Sequence, residues 1–422
     1  MIKRSLFLAW MVAPWLVACG DSGTENETEE VVELFSWWTS GGEREALDSV
    51  LDLHKQRYPH TEVLNIVQAG NVEAAREMLQ NRMDAGNPPE LFQSNYGLAL
   101  KYWLDRNPDT PALRALDELA TETGIMDTMP PEVLNMVTFD GHVVAIPANV
   151  HRENVLYYNK AVFDEIGMDP PTTLEEFYEV GAALQALDPP ITPLAVGTKE
   201  PWTLSLTFFP NVLLSTAGPD YYQKFFAGEA SPDDAEVLAA LEEFVKIWEY
   251  TNSDAVSRTW SEAADLVATG SAAMTVMGDW TKAYFEQVDM VPDVDFGELP
   301  FVGTKGIYVV AGDCFPLTTD AVNPESGADL LRTWASAEGQ HDFNKLKGSI
   351  PARSDVDISD YDAQLQAKVA AFKSDALIPS VRVVAPPAFD ENVSAALRDM
   401  VEAADVEIGL EALRDNYSLI EP

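Results

Sequence analysis

Two adjacent tryptophans, Trp37 and Trp38, follow a short apolar run in the segment VVELFSWWTSGGERE. Neighbours on a regular strand point to opposite faces, so inside a strand one indole would enter a core and the other would turn away. A loop just past the strand end frees both, and we expect both to meet a ligand by stacking. Packing is the ordinary role of the residue type, and Trp103, Trp248 and Trp334 are read that way. Asn149 and His151 are read as hinge or cleft lining. Asp279 before Trp280 in MGDW is read as a cap for the next helix. Other chemistry lacks its signatures. The five histidines show no i, i+4 pair and no cysteine at metal spacing. There is no G-x-S-x-G elbow, no HExxH, no phosphate loop and no nucleotide fingerprint. No metal or cofactor is expected.

The elements that must position these residues follow from periodicity. Val31 to Phe35 reads as a buried strand and Thr39 to Gly42 as a tight connection. Glu43 to Tyr58 reads as a helix with Leu47, Val50, Leu51, His54 and Tyr58 on one stripe. The tryptophans therefore cap the carboxyl end of the first strand. In open α/β sheets ligands collect there, beside the positive amino end of the following helix. Up to about Val150 short strands alternate with longer helices, the rhythm of a parallel sheet with crossover helices. GHVVAIPANVHRENVLYYNKAVFDEIG reads as a nearly continuous pair of strands, which fits a crossing between two lobes. A helix then opens at Thr172 with Glu175 completing a capping box. Later helices, Asp233 to Tyr250 and Ser261 to Ala268, lead into the strand SAAMTVMGDW. PFVGTKGIYVVAGDCFPL reads as a strand returning to the first lobe, and the cleft is expected between the lobes.

Composition narrows the partners. The 422 residues suit two lobes better than one core. With 69 acidic against 27 basic residues the formal charge is −42, which excludes nucleic acid and other polyanions. Lys3 and Arg4 precede an apolar run from Leu6 to Ala18, the pattern of a signal peptide over residues 1–18. The run is shorter than the ~20 residues of a spanning helix and contains Pro14. Leu16-Val17-Ala18-Cys19 resembles a lipobox, so Cys19 is expected to carry the lipid, with residues 19–30 as an acidic tether. Cys314 is the one other cysteine. No internal disulfide is then available, and Cys314 is read as a small buried hydrophobe.

FSWWTSGGE, PANVHRENVLYYNKAVFDEIGMDPPTTLEEF, TWSEAADLVATGSAAMTVMGDW and LKGSIPAR, in that order, resemble the bacterial extracellular solute-binding protein family 1. More narrowly they resemble its glucose- and mannose-binding subgroup. The likeness spans Val31 to about Phe389. It implies a type II periplasmic binding fold, two α/β lobes joined by crossing strands, that closes on a sugar and delivers it to the permease subunits of an ABC importer. On this reading residues 31–148 and 306–345 form the first lobe, and 149–305 and 346–422 the second. The resemblance implies a monomeric receptor on the outer side of the cell membrane or in the periplasm, held to the membrane only through its lipid.

Carried over residue by residue, the resemblance puts Trp37, Trp38, Glu43, Gln93, Asn95, Trp260, Asp313 and Lys347 in the sugar site, with His151, Asp279 and Arg382 as further candidates. An indole packs on the apolar C–H face of a pyranose. Carboxylates, amides and an ammonium hydrogen-bond adjacent ring hydroxyls. Asp313 lies between a buried strand and Phe315 and needs a partner, ligand or Lys347. The chain departs from the subgroup at two places. Asn95 stands where a histidine is usual, and the segment SVRVVAPP offers Arg382 in place of a second histidine. This weakens the inference to glucose itself, and an arginine there would permit an acidic or larger sugar. Two rival readings use the same residue types: a secreted glycoside hydrolase, which needs two carboxylates across one bond, and a binding protein for a non-sugar solute. Indoles interleaved with Glu, Gln, Asp and Lys favour a polyhydroxylated neutral ligand.

Overall fold

The computed structural model describes residues 30–67, 72–106 and 111–420. The expected signal peptide, Cys19 and nearly all of the tether lie outside the described residues. Strand Glu30–Phe35 is central in a parallel sheet, with Thr61–Asn65 on one side and Leu91–Phe92 on the other. Val32, Leu34 and Phe35 are fully buried, which is why this strand reads as an apolar run instead of an alternating one. Helix Gly41–Arg57 crosses over it, starting two residues before Glu43. Ala46, Leu47, Val50, Leu53 and His54 are buried, while Leu51 and Tyr58 stay half-buried. A second, antiparallel set in the same lobe joins Ser94–Asn95, Asp313–Phe315 and Ile146–Pro147.

The other lobe is built on a sheet ordered Thr192–Ala195, Ala272–Met277, Val155–Asn159, Phe296–Pro300, parallel in its first pair and antiparallel in the rest. Between the lobes lies a three-stranded sheet in which Ile307–Ala311 pairs with Ala376–Pro379 and with His151–Arg152. Side chains alternate across a strand. Tyr308 and Val310 accordingly enter the core of the first lobe, while Ile307 and Val309 enter that of the second. One strand thus belongs to both hydrophobic cores, and the lobes are coupled through it. Ile350, Ala352 and Phe372, assigned to the second lobe from sequence, pack in the first core.

Several local readings change. The stretch from Gly141 to Gly167 holds four short strands and then helix Lys160–Ile166, where continuous strands were expected. Asn159 starts that helix by accepting from the Val162 amide at 3.2 Å, and Gly167 ends it in the left-handed region. The next helix is capped one residue later than expected. Thr173 and Glu176 form the reciprocal box, and Thr172 adds its own N–H and hydroxyl to the same carboxylate. Helix Leu98–Asp105 begins just after the Ser94–Asn95 strand. Asp279 does not cap helix Thr281–Gln287, because its side chain is engaged elsewhere.

Candidate functional site

The two tryptophans part company at the end of the first strand. Trp38 is 1 % exposed, with its ring against Phe315, Trp334 and Phe343 at centroid distances of 5.8, 6.1 and 4.8 Å. It is a core residue and offers no open stacking face, contrary to the expectation for the pair. Trp37 stays half-buried with the Arg76 guanidinium 5.2 Å from its ring centroid. The turn that separates them is tied by Gln93. Its amide oxygen accepts from the Ser36 hydroxyl at 2.8 Å and from the Trp37 N–H at 3.2 Å. Its amide nitrogen donates to Asp313 at 3.1 Å. At 2 % exposure, Gln93 positions the other groups.

Asp313 anchors the floor. One carboxylate oxygen accepts from Gln93 and, at 3.3 Å, from Asn95; the other lies 3.0 Å from His151 Nε2 and 3.3 Å from Asn149 Nδ2. Its backbone N–H is held by Asn149 Oδ1 at 2.8 Å. Burial pushes the Asp313 pKa up, but His151, Lys347 and Gln93 outweigh it and hold the carboxyl below its ordinary value. On the other side of the imidazole, His151 Nδ1 lies 2.5 Å from Asp279, whose second oxygen accepts from the Arg152 N–H at 3.0 Å. Asp279 is likewise held below its ordinary value: burial opposes this, and the charges of His151 and Lys368 prevail. The Lys368 ammonium is 3.8 Å from Asp279 and 3.5 Å from Glu298.

Lys347 ends helix Ala337–Lys347 at a left-handed Gly348 and pairs with Glu43 at 2.6 Å. Its side chain is 1 % exposed, and the ammonium lies 5.7 Å from the ring centroid of Trp38 and 5.8 Å from that of Trp280. Trp280 meets His151 edge-on at 5.2 Å and Trp202 at 6.1 Å. The Arg382 guanidinium lies 4.6 Å from the Trp202 centroid and 5.7 Å from that of Trp280, and its Nε bonds Glu153 at 2.5 Å. Both Trp202 and Trp280 are half-buried. The Trp280 indole folds back over Gly278, where an added Cβ would lie 2.1 to 2.5 Å from three ring carbons. Only glycine permits that rotamer without displacing the ring.

The structure therefore joins Gln93, Asn95, His151, Asp279 and Asp313 in one polar network, ties Trp37 to it through its backbone N–H, sets the Lys347–Glu43 pair beside Trp38 and Trp280, and places Arg382 beside Trp202 and Trp280. Trp260 stands apart from the charged network. It opens helix Trp260–Ala268, its N–H donates to Glu200 at 3.1 Å and its ring contacts Tyr284 at 5.5 Å. Neither Trp202 nor Trp280 is among the candidates drawn from the sequence. Both follow the carboxyl ends of strands in the second sheet, Thr192–Ala195 and Ala272–Met277. That is the placement rule that singled out Trp37 in the first. The lobes also meet beside this cleft: a Cβ added at Gly42 would lie 3.0 Å from that of Ala283 on helix Thr281–Gln287.

Two α/β lobes with their own cores, joined through a shared strand, match the type II periplasmic binding fold. The solute receptor AcbH, described as having an exclusive substrate preference for β-D-galactopyranose, superposes with a TM-score of 0.81 at 18 % identity, covering 93 % of this chain and 100 % of that one. The chain belongs to the bacterial extracellular solute-binding protein family, whose model matches residues 40–341. An uncharacterized ABC transporter extracellular-binding protein of Pyrococcus horikoshii is 34 % identical over 392 residues, 91 % of this chain and 87 % of that protein. A probable sugar-binding periplasmic protein of Rhizobium meliloti is 33 % identical over 348 residues, 81 % of each chain. The family is one of extracellular or periplasmic binding proteins, not of enzymes.

Proposed function

We propose that this protein captures a neutral mono- or small oligosaccharide in the cleft, closes its lobes on it and presents it to an ABC import permease. What supports the reading is the half-buried indoles on both lobes, Trp37 on one and Trp202 and Trp280 on the other, together with a buried network of paired carboxylates and amides that we place at the floor of the cleft. Aromatic faces supply stacking area, and the polar floor supplies oriented acceptors and donors for hydroxyls. The charges are already matched within the protein. Arg382 is paired through Nε with Glu153 and Lys347 with Glu43, so neither positive charge is unbalanced, although the buried Arg382 Nη2 has no hydrogen-bond partner in the protein. This argues for a neutral ligand over a uronic acid.

Export through residues 1–18, a lipid on Cys19, a monomeric state and a lobe division near residues 148 and 306 complete the proposal. It is tested by a thermal-shift screen against hexoses, pentoses, disaccharides and uronic acids. A ligand that binds only the folded state raises the melting temperature with its occupancy. Stabilisation by a neutral sugar supports the reading. Stabilisation by uronic acids alone would overturn the charge argument.

A further inference from the structure

We propose that His151 is the positioning residue of the cleft: as an imidazolium it ties one carboxylate from each lobe, Asp279 and Asp313, across the hinge, and its deprotonation releases the tie and lets the lobes part.

The geometry suits a doubly protonated ring. His151 Nδ1 faces Asp279 at 2.5 Å and Nε2 faces Asp313 at 3.0 Å, so both nitrogens point at acceptors. A neutral imidazole has one N–H and one lone pair. Whichever tautomer it took, one lone pair would face a carboxylate oxygen. Asn149 Nδ2, which can only donate, lies 3.0 Å from the same Nε2 and 3.3 Å from the same Asp313 oxygen; it shares that carboxylate with a protonated Nε2 and donates to Nε2 once that nitrogen is bare.

The two carboxylates are fixed to different bodies. Asp313 is in a strand paired with Ser94–Asn95 and Ile146–Pro147, inside the first core. Asp279 follows strand Ala272–Met277 of the second sheet. His151 itself sits in the hinge strand that pairs with Ile307–Ala311. The backbone also ties Asp279 to Arg152 and Asp313 to Ala148, so a turn of the chain between residues 148 and 152 is what would lengthen a His151 bond as the lobes part, and with that turn the closed arrangement binds the proton more tightly than the open one.

The surrounding charges are accounted for. Lys347 opposes the proton on His151, while Lys368 lies 3.8 Å from Asp279 and is shared with Glu298. The Tyr157 hydroxyl donates to the Asp279 carbonyl at 3.3 Å, Tyr308 lies near Asp279 and Arg152, and the Trp280 edge closes the remaining side. Burial lowers the imidazole pKa, but the two carboxylates outweigh it and leave it above the ordinary histidine value. The sign follows. Closure is fully supported below the pKa of the open state and loses that support as pH rises through the closed-state pKa.

The inference rests on the cleft being the site of closure proposed above, yet its test needs no ligand and so fails or succeeds apart from the sugar reading. Small-angle scattering of the ligand-free protein would follow its radius of gyration from neutral to alkaline pH, and ¹⁵N spectra of histidine-labelled protein would follow the His151 nitrogens. We expect the radius to rise with the same midpoint as the His151 titration, and His151→Gln to abolish the step. Asp313→Asn keeps the side-chain shape and should move the midpoint down. A radius that stays constant while His151 titrates, a step that persists in His151→Gln, no titration of His151 over the range, or an unmoved midpoint in Asp313→Asn would each overturn the proposal.

Discussion

Gly278→Ala is the smallest change that should disarm the aromatic wall without replacing any residue proposed to meet the sugar. The new methyl would lie 2.1 Å from Trp280 Cζ3, 2.2 Å from Cη2 and 2.5 Å from Cε3, all far inside van der Waals contact. The backbone there is tied by the Asp279 N–H bond to the Arg152 carbonyl at 3.0 Å, so the ring moves in preference to the chain. Overpacking of this kind costs about 1–3 kcal/mol of stability. A displaced indole loses a stacking contact worth about 2 kcal/mol, equivalent to roughly a thirtyfold weaker sugar complex. Calorimetric titration of Gly278→Ala, Trp280→Ala and the double variant separates the two effects. If the methyl acts through the ring, the double variant binds no more weakly than Trp280→Ala alone, a coupling nearly equal to the effect of Gly278→Ala. A folded Gly278→Ala that binds like the parent, or losses that add in the double variant, would refute the reasoning.

The tryptophan pair should divide in the same way that its burial does. Trp37→Ala is expected to weaken sugar binding by about 1–3 kcal/mol with little change in melting temperature, whereas Trp38→Ala should destabilise the fold by about 3–5 kcal/mol in denaturant titrations. Arg382→Met leaves Glu153, whose side chain is 2 % exposed, charged without its partner; a loss of about 3–5 kcal/mol is expected, much of it recovered on adding Glu153→Gln. His54 gives a pH signature. Burial, with the charge of Arg57 adding to it, lowers its pKa from 6.5 to about 4. Its contribution is therefore complete above the unfolded value and is lost as pH falls toward the folded one, amounting to about 2 kcal/mol by about pH 5. Urea midpoints of the protein and of His54→Leu, compared over that window, should show the slope only in the parent.

Much of the first lobe is written locally. The apolar run Val31 to Phe35, the following helical stripe and the strand-helix alternation each carry their own period, and those elements form where the sequence puts them. The segment after His142 is less legible, because its strands are only two to five residues long and their partners come from Asp313–Phe315, Ile307–Ala311 and the second sheet. Burial of Trp38 is legible only in retrospect, since its neighbours Phe315, Trp334 and Phe343 lie some three hundred residues along the chain. The pairing of Arg382 with Glu153 is equally remote, so an arginine that reads as a free cation in sequence is neutralised in space. Trp202 and Trp280 were reachable: the strand-end rule applied to Trp37 applies to them unchanged. His151 could be placed at the crossing from sequence, but its two carboxylates meet only once both lobes have folded around it.

The most direct test of a sugar receptor with a two-sided aromatic cleft is calorimetric titration of the protein, Trp37→Ala and Trp280→Ala with the sugar that stabilises it best. One-to-one micromolar binding by the parent, weakened in both variants, is the expected result. Binding unchanged in both variants, or no neutral sugar bound by a protein that is folded, would contradict it.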